Sequence, residues 1–271
     1  MSDIVLSSGV RSNLLQLQQT SELITSTQTK LATGKRVNSA LDNPINYFTA
    51  QGLSVRANDL NALLDTMTTG INTIQAANNG ITAITKLVQT AQSLVSQAQQ
   101  TTDTNVRATL ATQFDALRTQ IDQLSGDSGI NGVNLLGNGS LTITLNETGS
   151  SNVVVSGYDD TTGGALALSA STNSWAGSTD IAAAGTQLAS SLVTLRAQSQ
   201  ALSSNLQTVQ IRQDFTKAMI NTLNTGADGL TLADSNEEGA NLLALQTRQQ
   251  LSTTALSLAS QADQNVLKLF Q

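Results

Sequence analysis

The chain has 271 residues, of which 39% are hydrophobic, only 3% aromatic and 12% charged, with a net charge of −6. Thirteen scattered basic residues provide no clustered Lys and Arg for a phosphate backbone or an anionic membrane, and no apolar run approaches the roughly 18 residues of a transmembrane helix. Histidine and cysteine are both absent, which removes the commonest zinc ligands, disulfides, Ser-His-Asp and Cys-His arrangements and the usual general base.

A first helix is expected from about residue 7 to 33, with Val10, Leu14, Leu17, Ile24 and Leu31 at spacings of three, four or seven, and Gly34 as the residue just past its end. Between Ser12 and Thr29 its only charge is Glu22. Asn43-Pro44 then restarts a helix, with Asn as the N-cap and Pro at the first helical position. Leu53, Ala57, Leu60, Leu64, Met67, Ile71, Ile74, Ile81 and Val88 follow at the 3.5-residue period of supercoiled helices. If continuous to about residue 99, this helix is roughly 80 Å long. Gly70 and Gly80 lie inside it, each costing about 1 kcal/mol against Ala; they either permit close helix contact or weaken the helix.

A third helix is expected from about 105 to 124, on Leu110, Phe114, Leu117, Ile121 and Leu124. The texture changes between 137 and 178, where Gly, Ser, Thr and Asn rise and short alternating runs read as strands: 141–145, 153–155 and a third around Leu166 and Leu168. Helix four, from about 180 to 224, carries Leu188, Leu192, Leu195, Leu202, Leu206 and Val209, and the glycine-rich residues 226–229 are expected to end it. Ser235 and Glu238 form a capping-box pattern for a last helix from 236 to about 270. Its regular apolar and small residues are Leu251, Ala255, Leu258, Ala262, Val266, Leu269 and Phe270, and residues 249–262 carry no charge at all.

These patterns give a mainly α chain: an elongated helical bundle, or coiled coil, of N- and C-terminal halves with a small β-hairpin insert. The ladders of helices two to four suit one another as the inside of a bundle. The first and last helices fit that reading less well. Their remaining faces are Ser, Thr, Ala and Gln rather than charged, so they need partners, and other copies of the chain would serve. Of the carboxylate pairs, Asp159-Asp160 reads as a solvated turn and Glu237-Glu238 as favourable placement near a helix N-terminus. No phosphate-cradling Gly loop is present. The expectation is a non-enzyme with no catalytic residues, cofactor or metal.

Several motifs then resemble one family. In residues 31–44, LATGKRVNSALDNP, the residues Leu31, Gly34, Arg36, Asn38, Ser39, Ala40 and Asp42 match the bacterial flagellin N-terminal signature. Gly70, Ile71 and Gln75, then Leu94, Gln97 and Ala98, match its next helix. Asn131-Gly132-Val133-Asn134-Leu135-Leu136 resembles its Phe-Asn-Gly-x-x-Leu-Leu segment, and residues 264–270 resemble its terminal motif, with Asp263 standing where that motif has proline. The resemblance covers about 1–136 and 180–271 and identifies a short form with a minimal variable region.

It implies an inner assembly domain of 1–40 and 230–271, a helical rod domain of 41–136 and 180–229, and a small outward-facing insert at 137–179. It further implies self-assembly into an extracellular flagellar filament, through the ladders of the first and last helices. Implied partners are many copies of the chain, with other flagellins mixed in where a cell makes several, a filament cap, hook-junction proteins, an export chaperone and the type III export apparatus, with export lacking a cleaved signal. Nucleic acid and membrane are not among them. Val88-Gln89-Thr90-Ala91-Gln92-Ser93-Leu94 stands where the segment recognised by a mammalian innate receptor usually reads Leu-Gln-Arg-Val-Arg-Glu-Leu. Both Arg and the Glu are missing, so weak or absent activation is expected. A hook–filament junction protein shares the terminal motifs but usually has a larger middle region, and a secreted adhesin would need more outer area than 137–178 offers.

Overall fold

The computed structural model describes residues 8–269, and of 263 and 266–269 the backbone alone. Its elements in order are α1 (Ser8–Thr33), α2 (Pro44–Gln100), α3 (Thr104–Asp127), β1 (Ser140–Thr144), β2 (Asn152–Ser156), a 3-10 turn (Asn173–Trp175), α4 (Ser178–Thr231) and α5 (Ser235–Leu269). The mainly α architecture with a small β-hairpin is as expected. The chain divides into two compact units, one of residues 1–55 and 222–271, the other of residues 56–221.

In the first unit α1 packs on α5. Lys30 Nζ meets Glu238 Oε1 at 3.0 Å, and the Ala233 N–H donates to Gly34 O at 3.0 Å, so the end of α1 adjoins the start of α5 and the helices run antiparallel. The seam on α1 is Val10, Leu14, Leu17, Thr20, Ile24, Thr27 and Leu31, buried or half-buried at heptad spacing. On α5 the half-buried residues are Glu238, Gly239, Leu242, Leu245, Gln249, Ser252, Leu256 and Ala259. Two turns are filled by threonine instead of leucine, and the Thr20 hydroxyl is satisfied by donating to Gln16 O at 2.8 Å.

The helix boundaries show two departures from expectation. Residues 226–229 do not end α4, which continues to Thr231. Leu223 and Ala227 are buried there, and a side chain at Gly226 would press on Leu53, so tertiary packing outweighs the cost of the glycines. The N-cap of α5 is Asp234 rather than Ser235: its Oδ1 accepts from the Asn236 N–H at 2.8 Å. Glu238 turns instead to Lys30.

The second unit is built on α2 and α4. Met67, Ile74, Ile81, Ile84, Val88 and Val95 line α2, and Ile181, Leu188, Leu195, Leu202 and Val209 recur every seventh residue of α4. Leu110, Phe114 and Ile121 of α3 join the same core. The β1–β2 hairpin is antiparallel, with Ile143 opposite Val153 and Leu141 opposite Val155. The third expected strand does not form. Leu166 and Leu168 are fully buried but sit in an irregular loop, anchored through single backbone bonds such as Ser191 Oγ to Leu166 O at 2.7 Å.

One face of α3 laces that loop down. Asp115 accepts from the Ser171 N–H and hydroxyl (2.9 and 2.6 Å), Arg118 donates to Leu168 O (2.9 Å), and Asp122 accepts from the Thr162 N–H and hydroxyl (2.6 and 3.0 Å). These positions lie three and four residues apart, hence on one side of the helix. Further on, Asn173, Ser174 and Trp175 all have positive φ, from 49° to 57°. This left-handed turn, disfavoured for residues with a Cβ, seats the Trp175 ring 5.1 Å from Phe114 with no exposure to solvent.

Candidate assembly surfaces

The residues of the 31–42 signature form a clamp within the first unit. Gly34 has φ +69°, the left-handed conformation that stops α1 and that glycine adopts without steric cost. The chain then turns so that the Arg36 and Val37 N–H groups donate to Thr231 O at 2.8 and 3.3 Å, and the Arg36 guanidinium to Gly229 O at 3.1 Å. Arg36 thus satisfies carbonyls left free at the end of α4, where a cation is also favoured. Asp42 Oδ2 accepts from the N–H groups of Asn38 and Ser39, both at 2.9 Å, and those bonds hold its carboxyl below the ordinary carboxylate range. Asn38 donates its amide to Lys35 O at 2.9 Å, and Ala40 is half-buried beside them. Asn43 Oδ1 accepts from the Asn46 N–H at 3.0 Å, which is the expected cap of α2.

Asn131 and Gly132, in the second unit, both have positive φ (51° and 80°) between Ile130 and Val133, which exchange two backbone bonds. This is the tight two-residue turn for which Asn-Gly is suited. Asn134 follows as an anchor that the sequence reading did not single out. Its amide donates to Ser125 O and Gly126 O at the end of α3, and its carbonyl accepts from the Leu136 and Gly137 N–H groups.

The terminal ladders part company. Val10, Leu14, Leu17, Ile24 and Leu31 lie in the α1–α5 seam. Leu251, Ala255, Leu258 and Ala262 do not; they are exposed, on a second heptad row of α5. Leu251 and Leu258 retain 66% and 63% of their surface in solvent. Leu243 on the same helix and Leu15 and Leu23 on α1 are also open. The side chains of Val266 and Leu269, and Phe270 altogether, lie outside the described residues. The sequence pointed to the outward row of α5 and passed over the inward one because both carry leucines at helical spacing.

Val88 is buried in α2, Leu94 and Gln92 are half-buried, and Gln89, Thr90 and Ser93 are exposed. Asp159 takes part in a turn as expected, accepting from the Thr161 N–H and hydroxyl. Asp160 does not: it is fully buried. Burial pushes its pKa up to about 6, eased slightly by Gln198 and reinforced by the charge of Asp159. Arg56 bonds Glu147 at 2.6 Å and holds that carboxyl low. Among the described residues no group of three or more His, Cys, Asp or Glu could hold a metal ion, and no helix is long and apolar enough to cross a membrane.

Residues 8–140 match the family model described as the bacterial flagellin N-terminal helical region. Along its whole length the chain is 31% identical to flagellin FljM and 33% identical to flagellin FljN of Caulobacter vibrioides, in each case covering 99% of the relative. A flagellin of Brucella melitensis is 25% identical, with both chains covered in full. With the signature residues folded into a clamp between the start of the chain and its end, and the relatives matched from end to end, this chain belongs to the flagellin family.

Proposed function

We propose that this chain is a structural subunit of the bacterial flagellar filament, one that assembles with many copies of itself into a hollow helical propeller for motility. The observation that carries this reading is the outward row of α5, Leu251, Ala255, Leu258 and Ala262, on a helix whose charges stop at Arg248 until Asp263. An exposed apolar stripe without charged flanks favours burial against a neighbour. Repeated contacts between unlike faces of a subunit extend into a filament instead of closing. The seam residues of α1 hold the hairpin together and so present that row.

The finer reading follows the family. The filament lies outside the cell, the chain leaves through the type III export apparatus with a chaperone and without a cleaved signal, and it meets hook-junction proteins at one end and a cap at the other. Residues 1–40 with 230–271 form the assembly domain, 41–136 with 180–229 the rod, and 137–179 the outward insert. The role is structural, with no catalytic step. The test is direct: purified chain, depolymerised by heat and cooled with seeds, should form micrometre filaments visible by electron microscopy. Versions lacking residues 1–30 or 240–271 should stay soluble and unassembled. Discrete rings from the full chain, or filaments from either truncation, would overturn the reading.

A further inference from the structure

Asp160 is the most unusual ionisable group among the described residues. Its side chain is fully buried, yet neither Oδ1 nor Oδ2 has a hydrogen-bond donor. Gln198 of α4 is the polar side chain beside it; it eases the charge without reaching hydrogen-bonding geometry, and its own Oε1 is also buried without a donor. Three acceptor oxygens therefore share one buried spot, and none of them has a donor at hydrogen-bonding distance, an arrangement that disfavours the ionised carboxyl even with the Gln198 amide N–H groups nearby. The charged groups around the loop do not offset it. Asp159 is its neighbour on the loop and repels, and Asp122 and Arg118 of α3 are engaged two residues on, at Thr162. From α4 the facing group, Gln198, is uncharged.

The backbone nonetheless holds Asp160 in place. Its N–H donates to Leu136 O at 2.9 Å, and Thr162, Leu166 and Leu168 are tied down by Asp122, Ser191 and Arg118. A proton would ease the conflict, because it turns one carboxyl oxygen from an acceptor into a donor on the side chain that neighbours Gln198.

We propose that Asp160 and Gln198 form a proton-operated latch, which holds the 157–172 loop against α3 and α4 while Asp160 is protonated and releases it when Asp160 ionises. The direction follows from linkage. The carboxyl titrates near 6 in the closed loop and near the ordinary 3.8 once the loop opens to water. Closure is therefore fully favoured below pH 3.8, weakens as pH rises to 6, and levels off above it, with a change in the opening equilibrium of about a hundredfold. Because the chain has no histidine and no cysteine, few other groups titrate in this window.

The test uses the full-length monomer between pH 4 and 8. Carbon-13 NMR follows the Asp160 carboxyl, and hydrogen exchange, corrected for intrinsic rates, gives protection at the Ala165 and Leu168 amides. The expected result is a carboxyl midpoint near 6 and protection that falls up to a hundredfold between pH 4 and 7. In Asp160→Asn the protection should be independent of pH. A carboxyl that titrates at 4 or below in the wild type, a readout that needs no variant, would overturn the latch. So would protection with the same pH profile in wild type and Asp160→Asn.

Discussion

Replacing Gly80 by alanine sets two well-defined effects against each other. Alanine in a helix interior is favoured over glycine by about 1 kcal/mol. A Cβ at Gly80, however, would lie 2.7 Å from Leu136 Cδ1 and 2.8 Å from Ser128 Cβ, and closer still to Ser128 Oγ. Leu136 has no exposed surface to move into, and the Ser128 hydroxyl is held on Leu124 O at 2.6 Å. Overpacking of this kind costs about 1–3 kcal/mol, and a broken hydroxyl bond adds about 1 kcal/mol. Gly80→Ala is therefore expected to destabilise by about 1–3 kcal/mol net. Gly185→Ala is the control in the same unit, since a Cβ there meets Val95 Cγ1 at an ordinary 3.4 Å and should stabilise by up to about 1 kcal/mol. Urea unfolding of the monomer, followed by the fluorescence of Trp175, the single tryptophan of the chain, measures both. A Gly80→Ala variant as stable as wild type would refute the claim that α2 uses this glycine for close approach.

The two rows of α5 should respond oppositely to substitution. Leu258→Gln should leave monomer stability within about 0.5 kcal/mol, because the side chain is exposed, yet raise the critical concentration for polymerisation tenfold or more. Ile24→Ala, in the seam, should cost the monomer about 2 kcal/mol, seen as earlier loss of helical circular dichroism. Asp42, whose carboxyl is held low by the Asn38 and Ser39 amides, should keep those amides protected from exchange at neutral pH and release them as pH falls below 3.8, through its lowered value; Asp42→Asn should show no such transition. Purified monomer should activate the innate receptor weakly or not at all, because exposed Thr90 and Ser93 and half-buried Gln92 replace the charged residues of the recognised segment; a strong reporter response would contradict this.

Where the sequence was legible, one physical signal dominated each position. The heptads of α2 and α4 show plainly because Ile, Leu and Val alternate with polar residues, and Gly34 and Asn43-Pro44 are local stop and start signals that need no distant partner. Where it was not, distant contacts decided. Periodicity alone does not choose between the two rows of α5, since Leu242, Leu245 and Leu256 are no more apolar than Leu251 and Leu258; the position of α1 chooses. Residues 226–229 stay helical because Arg36, Val37 and Leu53 meet them or the turn that follows. Asp160 looks like half of a solvated turn, and its burial depends on Leu136 and Gln198, far away in the chain. The clamp residues of the signature were visible as a motif, but their partners, Gly229, Thr231 and Ala233, were not.

The pairing of α1 with α5 also fixes an order of events. Lys30 and Glu238, which meet at the base of the hairpin, are 208 residues apart along the chain. Closing so long a loop in an otherwise unfolded chain costs about 5 kcal/mol of entropy before any leucine is buried. During synthesis α1 is made first, and it has no partner until the last part of the chain exists. The 56–221 unit contains its own core and does not wait for either end. The hairpin that presents the assembly row is thus completed last, and an unfinished or clipped chain carries neither a closed seam nor the row that depends on it.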